Sequence, residues 1–268
     1  MPGSVPGLDA LDVGLAATLV LLAGALSVAM GLGLFRSLLV AAARSAVQLT
    51  LIGLVLRWIF ARTEIAFTGA AMLFMIAVAS RASLKRAGWS LDGAAPGAFG
   101  TLAVTAGATA IAASALLIQA DPWHRAQVMI PILGMLLGNA LTGISLSLDS
   151  LLGAFAEEKE RVEAELALGA SRWEAARAPL RRAVRRGLTP IINAMTVAGL
   201  VSLPGMMTGQ ILAGAEPLDA VRYQLLILFL IAGVTAVGCV LLGAFAMTRL
   251  IDDELRIRSD RIRARGEG

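Results

Sequence analysis

The chain is predicted to be an all-α, polytopic membrane protein with about seven transmembrane helices. Three observations predict this. Of its 268 residues 57% are hydrophobic and only 16% charged, with a mean hydropathy of +0.78. Apolar stretches near 20 residues long recur along it, and basic residues gather in alternate connecting segments. A soluble chain needs polar surface to cover its core, whereas apolar runs of this length are solvated only by lipid, so a soluble enzyme is excluded. Disorder is excluded by the aliphatic content. A single cysteine, Cys239, and a single histidine, His124, exclude a disulfide framework and the repeated Cys/His ligands of zinc modules.

The apolar runs fall at about 13–35, 37–60, 65–80, 94–118, 127–148, 188–214 and 222–248 of a single transmembrane domain, 1–268. The third, Ile65 to Ser80, is short for a hydrocarbon layer of ~30 Å and is expected to recruit flanking residues. Asp9 and Asp12, and no basic residue, precede the first run, so it reads as a retained helix rather than a signal peptide, with its N-terminus outside. Alternating from there, the inside segments hold 18 of the 23 basic residues: Arg36; Arg81, Lys85 and Arg86; eight from Lys159 to Arg186; six in the tail 249–268. The outside segments hold Arg57, Arg62, Arg125 and Arg222. This bias predicts N-out/C-in. The pI of about 10.2 comes from arginines beside helix ends without interleaved aromatics, which implies anionic membrane lipid as a partner and no nucleic acid.

Residues 149–187 interrupt the pattern as a cytoplasmic module. Asp149 to Glu165 contains six acids and two bases, and Leu166 to Gly187 one acid and six bases. Leu151, Leu152, Phe155, Val162 and Leu166 recur at helical spacing, which extends the fifth run as an amphipathic helix. Gly169 is expected to end it with a left-handed turn, and Ser171 to cap a second helix from about Arg172 toward Arg177, ended or bent by Pro179. Helix, glycine turn and short helix is the shape of a rod that docks in a cytosolic partner, with Trp173 beside Arg172 and Arg177 as its anchor. The same composition suits an interfacial helix lying on anionic headgroups.

Glu163-Ala164 followed by Gly169 resembles the Glu-Ala-Ala…Gly signature of ABC-transporter permeases, with Glu165 where the signature has alanine. A wider set resembles the FetB-type ABC permease family: Ile130-Pro131 through Gly134, Gly138-Asn139, Ala167-Leu168-Gly169-Ala170, Asn193-Ala194-Met195, Val201 through Leu212, and Arg222-Tyr223-Gln224, with Arg44 and Gln48 in the second run. The resemblance implies an iron-export permease subunit of the bacterial inner membrane, related to plant aluminium-tolerance permeases. It implies a separate FetA-like cytosolic ATPase that binds the ATP and Mg, coupled to this chain through Glu163, Gly169, Ala170, Ser171, Arg172, Trp173 and Arg177. An organic or nucleotide-sugar cargo is the alternative. A stand-alone secondary transporter or channel, or a membrane scaffold, are readings from other classes.

The chain itself has no Gly-x-x-x-x-Gly-Lys-Ser/Thr loop, and its only lysines are Lys85 and Lys159, so it is not an ATPase and binds no cofactor of its own. With no internal duplication, an ABC assembly built on it requires a homodimer. Gly134 with Gly138 and Gly205 with Gly209 permit close helix contact, at a dimer seam or within one subunit. Pro204-Gly205 predicts a break in the sixth run between Leu203 and Met206, which makes 202–210, with Met206, Met207, Thr208 and Gln210, the candidate translocation stretch. Arg44 and Gln48 form a polar stripe one turn apart, facing a cavity or dimer axis, unless Arg44 snorkels to the boundary. Asn139 and Asn193 join the pathway residues, although interhelical hydrogen bonding is the default use of such groups. No clear acid lies inside a run and His124 sits in an outer loop, so the sequence names no metal ligands; Met72, Met75, Met129, Met135, Met195, Met206 and Met207 offer thioethers, but methionine in apolar helices is usually filler.

Overall fold

A computed structural model describes residues 9–61 and 64–264. Arg62 and Arg265, which enter the charge bias, lie outside the described residues. Two compact units make up the chain: Met1–Thr63 with Gly209–Glu216, and Glu64–Thr208 with Pro217–Gly268.

In the first unit, α1 (Ala10–Ala29) and α2 (Phe35–Phe60) form a helical hairpin. Its turn uses Gly31 and Gly33 at φ +66° and +68°, a region that glycine enters without a Cβ clash. The Ser27 hydroxyl accepts the Leu34 N–H at 2.9 Å, and Gly24 leaves room for the Phe35 ring. Leu15, Leu19 and Leu22 on α1 and Leu49, Leu51 and Leu54 on α2 are exposed. In water such exposure costs roughly 25 cal/mol per Å² of apolar surface; against hydrocarbon it costs nothing.

The second unit packs α3 (Ile65–Arg86), a rod over Ala94–Leu117, α6 (Ala126–Glu157), α7 (Lys159–Ala167), α8 (Arg172–Val197) and α10 (Pro217–Leu250). The rod is α4 (Ala94–Leu102) and α5 (Ala108–Ala112), each continued by one wider π-helical stretch, Ala103–Gly107 and Ala113–Leu117. α6 is the centre, packing against α3, α8 and α10 and burying Leu133, Leu136, Ile144, Leu151, Leu152 and Phe155. α8 runs antiparallel to both α6 and α10. A Cβ added at Gly187 would lie 2.7 Å from the Gly143 carbonyl oxygen and 2.7 Å from Cys239 Sγ, and one added at Gly243 would lie 2.5 Å from Leu180 Cδ1. Gly143 and Gly187 therefore mark a crossing at which two backbones touch.

One end of this unit gathers chain segments distant in sequence. Strand β1 (Trp89–Leu91) pairs antiparallel with β2 (Ile262–Ala264), the Asp149 carboxylate accepts the Gly88 N–H at 2.9 Å, and Arg172 pairs with Asp253 at 2.9 Å. The end of α3, the second half of α6, the start of α8 and the chain after α10 thus share one face of the bundle.

Among the described residues six helices are long and apolar enough to cross a membrane: Leu11–Ala29, Phe35–Phe60, Ile65–Arg86, Ala94–Leu117, Ala126–Glu157 and Pro217–Leu250. The short third run gains length by taking in Arg81 to Arg86. The run 188–214 is not one helix. It is divided among the last half of α8, a non-helical segment 198–204, and α9 (Gly205–Leu212). Pro179 does not end or divide the helix begun at Arg172, which continues through Pro179 and Pro190 to Val197. Each proline forfeits a backbone bond, but the buried stripe Ala175, Ala176, Pro179, Ala183, Gly187 and Ile191 holds the helix by packing.

The crossing gives a test. Gly187→Ala places a methyl against backbone that cannot retreat and is expected to destabilise the fold by about 1–3 kcal/mol. Gly53→Ala, with nothing within 4 Å, should be neutral or mildly stabilising. Thermal melts of the detergent-purified variants measure both.

Candidate functional site

The polar module is built around a charge clamp at the α6–α7 junction. Glu158 accepts hydrogen bonds from Arg182 of α8 and Arg161 of α7, and Arg161 also binds Glu165. The Arg182 hydrogen bond holds the Glu158 carboxyl below its ordinary range, against the opposing effect of burial and with help from Arg161. Burial works against the Arg161 charge, yet its two carboxylate partners raise its pKa. These bonds tie α7 to α8, while Val162 and Leu166 turn inward and are buried.

α7 ends as local chemistry dictates. Gly169 takes φ +93°, and the N–H groups of Gly169 and Ala170 reach back to the carbonyls of Leu166 and Glu165 at 3.0 and 3.1 Å. Ser171 then starts α8 with a capping box: its Oγ accepts the Glu174 N–H at 3.3 Å, and Glu174 Oε2 accepts the Ser171 N–H at 2.8 Å. The hydrogen bond from the Ser171 hydroxyl keeps the Glu174 carboxyl low. Around this turn Leu168 is 88% exposed and Trp173 50% exposed, an arrangement that leaves apolar side chains at a protruding corner. Of the other residues expected to dock a partner, Arg177 and Glu163 are exposed, the latter 3.6 Å from Lys159; Ala170 packs on the core; Arg172 is turned toward Asp253.

The residues that the sequence proposes for a pathway divide differently. In the first unit, Arg44 and Gln48 stand exposed one turn apart on α2, and the Gln210 side-chain oxygen is enclosed without a hydrogen-bond partner among the described residues. In the second unit, two cavities lie along one face of α6. One of about 240 Å³ is lined by Arg86, Gly88, Ser145 and Asp149, and one of about 100 Å³ by Asn139, Gly187, Pro190 and Thr235; Thr142 lines both. Thr235 is 1% exposed, and its hydroxyl has no partner among the described residues. The Asn139 amide donates to the Met135 carbonyl at 2.8 Å, while Asn193 is exposed on α8 and lines neither cavity.

The helix break is wider than Pro204-Gly205 alone predicts. α8 stops at Val197, Gly199 takes φ +81°, and its N–H donates to the Ser202 carbonyl at 2.9 Å, leaving Leu200 and Val201 88% and 84% exposed. Pro204 accepts from the Thr208 hydroxyl at 3.3 Å; Gly205 opens α9, and Met206 and Met207 are half-buried, with Met206 against the core. Among the described residues no group of three or more His, Cys, Asp or Glu is placed to hold a metal ion.

The fold and these sites define a multi-pass α-helical membrane protein with a structured polar module at one end of its bundle. The chain belongs to the uncharacterised protein family UPF0014, which it matches over residues 10–251. The UPF0014 membrane protein slr1647 of Synechocystis is 38% identical over 231 residues, 84% of this chain and 86% of that one. Protein ALUMINUM SENSITIVE 3 of Arabidopsis thaliana is 33% identical over 225 residues, 84% and 81%. A probable iron export permease protein, FetB, of Escherichia coli is 30% identical over 230 residues, 86% and 87%. The resemblance to FetB-type permeases and their plant relatives therefore holds. No solved structure matches the chain.

Sequence reasoning missed Glu174, although the Ser-x-x-Glu spacing of a capping box was visible. It also missed Glu158, Arg161, Arg182 and Asp253, whose partners are set by tertiary folding. The clamp gives a pH test. Because the Glu158 pKa is depressed on folding, its stabilisation is complete above the ordinary value of 4.5 and is lost as pH falls below that through the folded value. The hydrogen-exchange protection of α7, taken against the intrinsic amide rate at each pH, should fall on that acidification, and less so in Glu158→Gln. Ser171→Ala should cost about 1 kcal/mol, read as faster exchange in the first turn of α8.

Proposed function

We propose that the chain is the permease subunit of an ABC exporter in the bacterial inner membrane, working as a homodimer with cytosolic FetA-like ATPase subunits that carry the ATP and Mg. The cargo in this reading is iron or another metal species moved out of the cytoplasm. The observation that carries it is the capped corner at Gly169–Trp173. It presents exposed Leu168 and Trp173 at the head of a 26-residue helix that leads from the polar module to a break at 198–204. Membership in a family with a relative named a probable iron export permease supports the same reading.

Chain direction supports a seventh crossing. The β1–β2 pairing brings the end of α3 and the chain after α10 to one side, so the chain between them crosses the membrane an even number of times. The rod Ala94–Leu117, α6 and α10 supply three crossings. The segment of α8 beyond Gly187, about 16 Å long, is too short to cross alone; continued by 198–204 and α9 it completes the fourth. A broken helix of this kind leaves backbone groups to be satisfied by protein or water, as the wall of a pathway does. In the mechanism, nucleotide-driven closure of the ATPase pair displaces the corner, α8 moves with it, and the segment at Pro204 to Gln210 opens alternately to either side. Exposed Arg44, Gln48, Asn139 and Asn193 then face water or the second subunit rather than lipid.

Co-purification with the ATPase tests the docking assignment. Trp173→Ala removes the anchor. Gly169→Pro imposes φ near −65° where +93° is required and removes an N–H that binds Leu166. Both variants are expected to insert normally and to lose the ATPase; retained association in both rejects the docking site. Pro204→Ala should impair flux more than assembly. Transport into vesicles of ferrous ion, a ferric chelate or a nucleotide sugar distinguishes the metal cargo from the organic one.

A further inference from the structure

The arginines of α8 fall into two sets. Arg172, Arg182 and Arg186 pair with Asp253, Glu158 and Asp149. Arg177, Arg181 and Arg185 are exposed, and their side chains have no hydrogen bond or ion pair among the described residues. They are spaced four apart, so they form one row, and like charges at that spacing destabilise a helix unless an anion neutralises them. A trough of about 330 Å³ lies between Ala178, Arg181, Arg182 and Arg185.

The row continues into a different chemistry. At about 3.6 residues per turn, Arg177, Arg181, Arg185, Ile192 and Met195 lie within about 80° of one another around the helix. Ile192 is 54% exposed and Met195 36% exposed. One face of α8 therefore presents guanidinium groups along its first part and open apolar side chains along its last. That sequence of polarity is the profile of a phospholipid, with a phosphate diester above acyl chain. Arg181 and Arg185 lie about 12 and 18 Å along the axis from Trp173, beyond the corner assigned to the ATPase, while Arg177, about 6 Å away, belongs to both.

We infer that this face of α8 binds an anionic phospholipid of the cytoplasmic leaflet, its phosphate held by Arg181 and Arg185 with Arg177 beside them and its chain lying along Ile192 and Met195. The inference rests on the reading of 149–187 as cytoplasmic. A free phosphate compound offers the same anion without the tail, and a protein partner's acidic surface offers charge without either.

Native mass spectrometry of the full chain, purified in neutral detergent with no ATPase present, separates these cases and is independent of the docking assignment. The probes are phosphatidylglycerol, phosphatidylcholine and glycerol 3-phosphate. Phosphatidylglycerol is expected to bind in preference to phosphatidylcholine, more weakly as salt rises, and glycerol 3-phosphate is not expected to displace it at equal concentration. Arg181→Gln with Arg185→Gln should weaken phosphatidylglycerol binding about 30-fold. Ile192→Asn should weaken it with the arginines intact, while Arg256→Gln, in the ion-paired tail, should leave it unchanged. Equal binding of the two lipids by the unaltered chain overturns the inference even where the double variant does not fold. So does unchanged binding by that variant, displacement by glycerol 3-phosphate, or binding confined to monomers and lost in dimers.

Discussion

The second unit depends on the contact between two glycines. Gly143 and Gly187 let the backbones of α6 and α8 touch, and Cys239 and Thr235 of α10 close over the same point. In lipid there is little hydrophobic gain from bringing helices together, so close van der Waals contact must supply the attraction, and it is strongest where no side chain intervenes. This fixes the level of α8. The polar residues before Gly187 project beyond the apolar part of the bundle, and the apolar ones after it remain alongside α6. The clamp at Glu158, the corner at Gly169 and the break after Val197 all take their positions from that level.

Much of this was legible in the sequence where the physics is local. Gly169 and Ser171 announce the corner because one needs no Cβ and the other carries a capping oxygen, and both act within a few residues. The charge bias and the long apolar runs announce the membrane. What was not legible depends on distance or on packing. Pro179 reads as a helix end by its missing N–H, but the cost is offset by a stripe of small residues seated on neighbouring helices. The run 188–214 reads as one span because hydropathy adds across an interruption that a left-handed Gly199 creates. The pairing of Trp89–Leu91 with Ile262–Ala264 joins two short strands with no periodic signal, and Asp253 gives no sign in the sequence that it will meet Arg172.

The polar groups within the helices show a division of labour. Many of the hydroxyls satisfy themselves on their own helix, as Thr105 does on Thr101 and Ser145 on Leu141, with Ser145 also reaching Ser83 across to α3. Thr235 departs from this, enclosed beside a small cavity with Asn139 and Thr142. The family match fixes kinship and membrane class; the Thr235 hydroxyl and the exposed Arg44, Gln48 and Asn193 of α2 and α8 are polar groups that the helices leave without an internal use among the described residues.

α8 also sets where the molecule is stiff. The helix itself runs unbroken from the cap at Ser171 to Val197, a length of about 39 Å, losing only the backbone bonds that Pro179 and Pro190 cannot donate, and its small buried residues leave little slack against α6. The first segment of chain able to yield lies beyond, where 198–204 has no regular bonding ladder. A displacement at the Ser171 end would therefore be conveyed along α8 as along a pushrod, with the strain gathering at 198–204, the first joint able to flex.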